Sequence, residues 1–304
     1  MNPQSIIICE KYQEVFNVKS QNFRIQKQKP AMILAKKQAN FLLKTPKNFN
    51  IGGRKNFYFS HMLNCMYDCK YCFLQGMYNS ANYVVFVNLR NFLEQIKLIS
   101  LKYPNEKIFF FSGYDCDSLA FEKITGFAKQ AILFFKNIRN SVLEIRTKSN
   151  YIAPFLNLKP EKNIIFAWSL SPRRTVNNFE FKTPSLEQRL KSISVLQKKE
   201  WNIGLRFDPL FYFINYQKIY ADFFKEVFSI INQNKIHSIT IGTFRLPQNH
   251  FKKIKKLGHV NKLLVDLSYY SGNYGYHDDE KNSLILFCQN ELKKYVESEK
   301  IFLN

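Results

Sequence analysis

No stretch of this 304-residue chain approaches the ~20 uninterrupted apolar residues that a membrane-crossing helix requires. The N-terminal segment carries only a four-residue apolar run, Ile6 to Cys9, and Glu10 and Lys11 follow at once, which argues against a secretory signal. Internal repeats and long Pro/Gly/Ser linkers are absent as well. Cysteine is scarce and unevenly placed. Of six, three fall within the eight residues 65–72, a pattern that suits a metal site in a reducing cytoplasm better than a disulfide framework. Acidic charge is also short: 23 Asp and Glu face 45 Lys and Arg, for a formal net charge of +22.

What is present limits the class. With 46% hydrophobic residues and 16% aromatics, the chain can bury a sizeable core and is not a disordered polymer. A charge of +22 raises the local concentration of polyanions and points to nucleic acid as a partner. The competing reading is a generically basic surface, because lysine dominates and is spread along the chain. The high phenylalanine content carries no functional conclusion.

From about Asn56, short β-branched or aromatic runs alternate with longer amphipathic ones. The expected strands are Asn56–Ser60, Lys107–Phe111, Val142–Thr147, Ile164–Ser169, Ile203–Phe207 and Ile236–Ile241. Helices are expected near 90–103, 118–137, 150–157, 184–200, 216–234, 247–257 and 279–298. The one near 184 has Thr183 as N-cap and Pro184 in the first turn. Six βα units imply a parallel sheet with right-handed crossovers, hence an α/β fold: a partial (β/α)6 TIM-type barrel. The expected organisation is a basic N-terminal extension over 1–50 with one helix-like run (Ala31 to Leu43), a barrel over 51–245, and a C-terminal cap over 246–304 able to contact substrate. Active groups of such folds gather on loops after the strands. Here the cysteine cluster follows the first strand, Tyr114 to Asp117 the second and Lys148 the third. Ser169 ends the fourth strand, Asp208 follows the fifth and Arg245 the sixth.

The cluster reads Cys65-Met-Tyr-Asp-Cys69-Lys-Tyr71-Cys72. Three thiolates on one loop can hold three irons of a cubane iron–sulfur cluster and leave the fourth iron open. An aromatic residue before the last cysteine, here Tyr71, can shield the cluster and pack on a bound ligand. A zinc site completed by His61 is the alternative, although zinc sites more often pair their thiols two by two.

The Cys-x3-Cys-x2-aromatic-Cys spacing after a first strand resembles the radical S-adenosylmethionine (SAM) superfamily. Within it, the run CKYCFLQGMYNSANYVVFVNL is similar to the cluster loop of the spore photoproduct lyase-like (DNA repair photolyase) family. Further matching stretches are Asp117 to Gly126, Arg146-Thr-Lys148, Phe166-Ala-Trp-Ser169, Asn178-Phe-Glu180, Thr183 to Arg189, Arg245 and Tyr274-Gly-Tyr276. The resemblance covers about residues 50–280. It implies a [4Fe-4S] cluster on Cys65, Cys69 and Cys72, with SAM chelating the open iron. Reductive cleavage then gives methionine and a 5′-deoxyadenosyl radical that abstracts hydrogen from a nucleic-acid substrate. A flavodoxin- or ferredoxin-type protein would supply the electron.

The same resemblance assigns roles at matching positions. Lys148 and Ser169 fall on SAM-holding residues, and Cys116 stands where the family has a SAM-contacting serine. Arg245 matches an arginine near the damaged-DNA site and could grip a phosphate in bidentate fashion. Tyr274 and Tyr276 could stack on a splayed base. There is one departure. The family's hydrogen-donating cysteine lies two positions before that serine, and here the position is Tyr114. Either Cys116 or Tyr114 has taken over the role, or the substrate differs. A thymine dimer in DNA is the substrate the family implies. A radical SAM enzyme acting on RNA or protein is one alternative, and a non-catalytic nucleic-acid-binding protein with a structural metal is another. Cys288, in an apolar helical run, reads as core.

Overall fold

Six runs of apolar, β-branched and aromatic residues form six adjacent parallel strands: β1 (Lys55–Phe59), β2 (Ile108–Ser112), β3 (Ser141–Thr147), β4 (Ile164–Ser169), β5 (Asn202–Leu210) and β6 (Ile236–Thr243). This computed structural model describes residues 6–304 except 47–48, 259–261, 266 and 271. The register runs Phe59↔Ser112, Ser112↔Ile145, Thr147↔Trp168, Ser169↔Arg206 and Phe207↔Ile241. Leu43–Lys44 closes one edge in antiparallel sense, and a seventh parallel strand, β7 (Ile301–Leu303), lies beside β6 at the other. The sheet is open and curled, a partial barrel.

Both faces are covered, so the strands are apolar throughout. Along β2, Ile108 and Phe110 pack with the helices α1 (Leu89–Lys102) and α2 (Phe127–Phe135), while Phe109 and Phe111 join Ile51, Val142 and Ile165 on the concave side. Alternation of successive side chains across the pleat accounts for this division. The helices α3 (Leu186–Lys198), α4 (Tyr216–Ile230), α5 (Gln248–Lys256) and α6 (Asp278–Leu292) complete the covering. Deep on the concave side, the fully buried Glu144 and Arg206 form a bidentate pair at 3.1 and 2.7 Å.

Several expectations are corrected. The helix-like run Ala31 to Leu43 is instead a strand, Met32–Ala35, paired in parallel with Tyr83–Phe86. The cap of α3 is Ser185, whose side chain accepts from the Gln188 N–H at 3.2 Å, and Thr183 and Pro184 lie outside the helix. The region 118–137 is broken by Gly126, in left-handed conformation, and 150–157 is reduced to one 3-10 turn, Ala153–Phe155. Residues 246–304 are more than a cap, because β7 belongs to the main sheet and α6 packs on α4 and β6. The N-terminal extension is likewise built in: Phe16 is part of the main core. Its residues 1–5 and 47–48 lie outside the described residues. No helix among those described is long and apolar enough to cross a membrane.

Candidate active site

All six barrel strands deliver residues from their C-terminal ends to one cleft of about 1020 Å³. Tyr58 lies near the end of β1, Tyr114, Cys116 and Asp117 follow β2, Lys148 follows β3, Ser169 ends β4, Asp208 belongs to β5, and Arg245 follows β6. Cys65, Cys69, Tyr71 and Cys72 line the same space. Gly113 makes the turn from β2 into the cleft. Its φ of +78° suits glycine, and an added Cβ would lie 2.5 Å from the Ser118 hydroxyl.

The cysteine loop is fixed by distant parts of the chain. Asn64, buried and left-handed at φ +66°, anchors the turn into Cys65 by donating to the carbonyls of Ser80 and Asn82, both at 2.8 Å. Arg24 grips Asp68 with two bonds of 2.6 and 3.0 Å, and the buried ammonium of Lys27 donates to the Cys65 carbonyl. From the other side, Glu180 and Phe181 pair in antiparallel sense with Cys69 and Asp68, and the Lys70 N–H donates to the Phe179 carbonyl at 2.7 Å. Gly76 lets the short helix Leu74–Met77 press against α5, since a Cβ there would lie 2.4 Å from the His250 carbonyl oxygen.

Glu180 is the central side chain of this arrangement. It accepts from the Tyr71 hydroxyl and from Arg189 Nη2 at 2.5 Å, and Lys148 Nζ lies 3.9 Å from its carboxylate. Arg189 also donates to the carbonyls of Pro184 (3.0 Å) and Ser169 (3.2 Å) and to the Thr183 hydroxyl (2.8 Å). Burial alone would raise the Glu180 pKa, but Lys148, Arg189 and the Tyr71 bond together hold it below the usual carboxylate range. Lys148 Nζ lies 5.8 Å from the Tyr71 ring centre. The Lys148 backbone is held by Asp117, whose carboxylate accepts from its N–H (2.6 Å) and from the Thr147 hydroxyl (2.7 Å).

Burial pushes all three cysteine thiols up, Cys65 to about 12 and Cys69 well above its ordinary value, with Cys72 adding to the rise at Cys65, and Cys65 and Cys72 to that at Cys69. Bound iron reverses that balance, because a coordinating thiol is deprotonated outright. Three thiols on one loop, opening on a cleft with Lys148 across from them, therefore fit an iron–sulfur cluster with one open corner. His61 is not turned to these thiols: its Nδ1 lies 3.9 Å from Cys116 Sγ. His61 is buried instead, stacked on Phe127 at 3.6 Å, and desolvation lowers its pKa to about 3.

Tyr114 sits in an aromatic cage, 4.3 Å from Tyr58, 5.9 Å from Phe73 and 6.5 Å from Phe49 between ring centres. Cys116 Sγ lies 3.9 Å from His61 Nδ1, and burial first, then Cys65, Asp115 and Asp117, keeps it a thiol. Arg245 is half exposed, 3.8 Å from Asp208, and donates to the Thr243 carbonyl at 3.1 Å. Two expected substrate contacts fall elsewhere. Tyr274 spends its ring face on Phe251 (3.9 Å, 16°), and Tyr276 is buried against Tyr212, 5.9 Å away. Neither lines the cleft. Glu180 and Arg189 had no role predicted from sequence although their motifs stood out, and Arg24 and Lys27 had no distinguishing signal among the 45 cations.

The family whose description is "Spore photoproduct lyase" matches residues 54–302. The chain is 25% identical over 252 residues to the spore photoproduct lyase of Bacillus subtilis (strain 168), covering 77% of this chain and 70% of that protein. It is 27% identical over 235 residues to the spore photoproduct lyase of Geobacillus sp. (strain Y412MC61), covering 72% and 68%. The fold is similar, at a TM-score of 0.78 and 17% identity over 90% of this chain and 81% of the other, to a mutant spore photoproduct lyase with bound AdoMet and dinucleoside spore photoproduct.

Proposed function

The chain belongs to the spore photoproduct lyase family, and from that footing we propose that its cleft repairs a UV-induced thymine dimer in DNA by radical SAM chemistry. The observation that carries this reading is the convergence of Cys65, Cys69, Cys72, Lys148, Ser169, Cys116 and Tyr114 on one cleft. Cys65, Cys69 and Cys72 would hold a [4Fe-4S] cluster, which when bound supplies the electron for reductive cleavage of SAM.

The chain's own groups do the rest. Lys148, held by Glu180 and by its backbone bond to Asp117, presents an ammonium to the methionyl carboxylate. The Ser169 carbonyl is tied to Arg189, which fixes the end of β4 and sets its hydroxyl at the cleft wall. Tyr71, with its hydroxyl committed to Glu180, offers its ring as a packing surface beside the cysteines. Phe73, Tyr58 and Tyr114 exclude water from the reacting region. Arg245, at the rim and half exposed, meets a DNA phosphate, and a flavodoxin- or ferredoxin-type protein supplies the electron.

The hydrogen atom that completes repair comes from Cys116. Cys116 lines the cleft and its thiol stays protonated, and an S–H bond is weaker than a phenol O–H. The transfer leaves a thiyl radical on Cys116, which one electron from the external donor and one proton return to the thiol. Tyr114, two residues earlier on the same loop, lines the cleft beside it. The test is anaerobic reconstitution followed by incubation with SAM and dithionite, with and without ultraviolet-irradiated DNA. Formation of 5′-deoxyadenosine with release of repaired thymine is expected. SAM cleavage that is unaffected by the damaged DNA, with no thymine released, would move the substrate to RNA or protein.

A further inference from the structure

The cysteine loop has two sides, and the cleft uses one of them. In the antiparallel pair Cys69↔Glu180 and Asp68↔Phe181, directly opposed residues share a face and successive residues alternate. Cys69 lines the cleft, and Glu180 meets Tyr71 and Lys148, which line it too. Asp68 and Phe181 therefore turn the other way. On that outer face Arg24 grips Asp68, and Phe181 is left 43% exposed. Lys70 Nζ lies 5.2 Å from the Phe181 ring centre, and neither residue lines the cleft.

The surroundings of Phe181 are cationic. Lys182 is exposed, and its charge is felt at Lys27, whose ammonium donates to the Cys65 carbonyl. Lys27 and Lys70 both act on Asp68. Arg24, Lys27, Lys70 and Lys182 thus gather around a carboxylate that Arg24 already holds, and the face is positive. Apolar groups are also exposed on the segments that meet here: Ile25, beside Arg24, by 68%, and Met66, beside Cys65, by 38%. Exposed aromatic and methionine side chains with charge at the rim are the composition of a protein-binding face. Nucleic acid would answer the charge but leave these apolar groups unused. Phe181 stands opposite Asp68, the residue before Cys69, so its backbone runs about 5 Å from that of the loop. With SAM and DNA in the cleft, a protein electron carrier still has this outer face open to it.

We propose that the outer face of the cysteine loop, centred on Phe181 and rimmed by Lys70 and Lys182, docks a small acidic electron-transfer protein of the flavodoxin type, an inference that rests on the radical SAM reading of the cleft. The anionic flavin hydroquinone of the carrier loses one electron and becomes the neutral semiquinone. That electron passes to the cluster on Cys65, Cys69 and Cys72, and no proton moves.

The test is calorimetric titration of the reconstituted holoenzyme with an acidic bacterial flavodoxin, at about 50 mM and about 300 mM salt. The unmodified protein should bind with a Kd of about 100 μM or tighter at low salt and more weakly at high salt. Lys70→Gln/Lys182→Asn should weaken low-salt binding at least about fivefold and flatten its salt dependence. Asparagine suits residue 182, whose φ is +61°. Phe181→Thr, which keeps a strand-forming residue, should weaken binding about tenfold at both salt concentrations. Oxidation of flavodoxin hydroquinone, followed by stopped flow, should slow in both variants. With dithionite, which needs no docking, the lysine double variant should form 5′-deoxyadenosine as fast as the unmodified protein. A short lesion-containing duplex should not displace flavodoxin. Were Phe181→Thr to lose its cluster, the lysine variant and the salt series on the unmodified protein still decide. No binding by the unmodified protein at about 1 mM flavodoxin, unaltered binding in the lysine variant, or displacement by the duplex overturns the proposal. Absence of 5′-deoxyadenosine from the unmodified protein with dithionite would instead count against the radical SAM reading, which the binding data do not touch.

Discussion

Glu180→Gln isolates the centre of the active-site network. The substitution keeps the shape of the side chain and removes one charge, leaving the guanidinium of Arg189 fully buried without its counter-ion. Breaking a buried pair by removing one partner costs about 3–5 kcal/mol. Arg189 keeps three other acceptors, at Pro184, Ser169 and Thr183, so the lower end applies, about 3 kcal/mol. For a domain of this size, that lowers Tm by about 5–10 °C. Differential scanning fluorimetry of the metal-free protein reads it directly. The double variant Glu180→Gln/Arg189→Met removes both charges and should regain most of the loss, because replacing a whole buried pair is often close to neutral. After anaerobic reconstitution, the single variant should also bind SAM more weakly, since Lys148 and Tyr71 lose their common anchor. A Tm within about 1 °C of the unmodified protein would refute the assignment of Glu180 as the electrostatic keystone.

Changing Cys65, Cys69 or Cys72 singly to Ala should remove most bound iron and sulfide and all 5′-deoxyadenosine formation; full SAM cleavage by any of the three would remove that thiol from the ligand set. Cys116→Ala should still form 5′-deoxyadenosine but release adducts in place of repaired thymine, with Tyr114→Phe showing a milder form, as product chromatography would reveal. Arg245→Ala should weaken binding to lesion-containing DNA by about 1–3 kcal/mol and reduce the salt dependence, and equal affinity at low salt would remove it from the DNA contact. Burial alone would raise the Glu144 pKa, but Arg206 and Arg146 hold it below its unfolded value, so its stabilisation is present at neutral pH and lost as pH falls through the folded pKa. Denaturant titrations of Glu144→Gln should therefore show a flatter acid limb below about pH 4.5 than the unmodified protein.

The six barrel strands were legible because strands buried on both faces read as continuous apolar runs, and each begins and ends within a few residues of its expected limits. The cysteine loop was legible for the same local reason, since its three thiols fall within eight residues and line the cleft together. Met32–Ala35 was misread because Ala, Leu, Lys and Gln dominate residues 31–43 and favour a helix, whereas the partner strand that overrides them lies some fifty residues on. The cap of α3 was misplaced by two residues because Thr183 and Ser185 are both good caps, and Gln188 selects Ser185 by completing the capping box. Sequence does not show that Tyr274 turns a ring face to Phe251, or that Tyr276 packs against Tyr212. The roles of Glu180 and Lys27 were not legible, since their partners Tyr71 and Cys65 are 109 and 38 residues away.

That separation also orders events in time. The three thiols emerge from the ribosome together, within eight residues, long before Glu180 and Phe181 exist to brace their loop. Contacts spanning such sequence distances form late, because loop-closure entropy must be met first. The backbone of the cysteine loop is therefore braced late, by Glu180 and Phe181, while Cys65, Cys69 and Cys72 still line the open cleft once the chain has folded. A chain cut to begin at residue 54 would keep the family's matched core and lose Arg24 and Lys27, the grip that holds the loop from its other side.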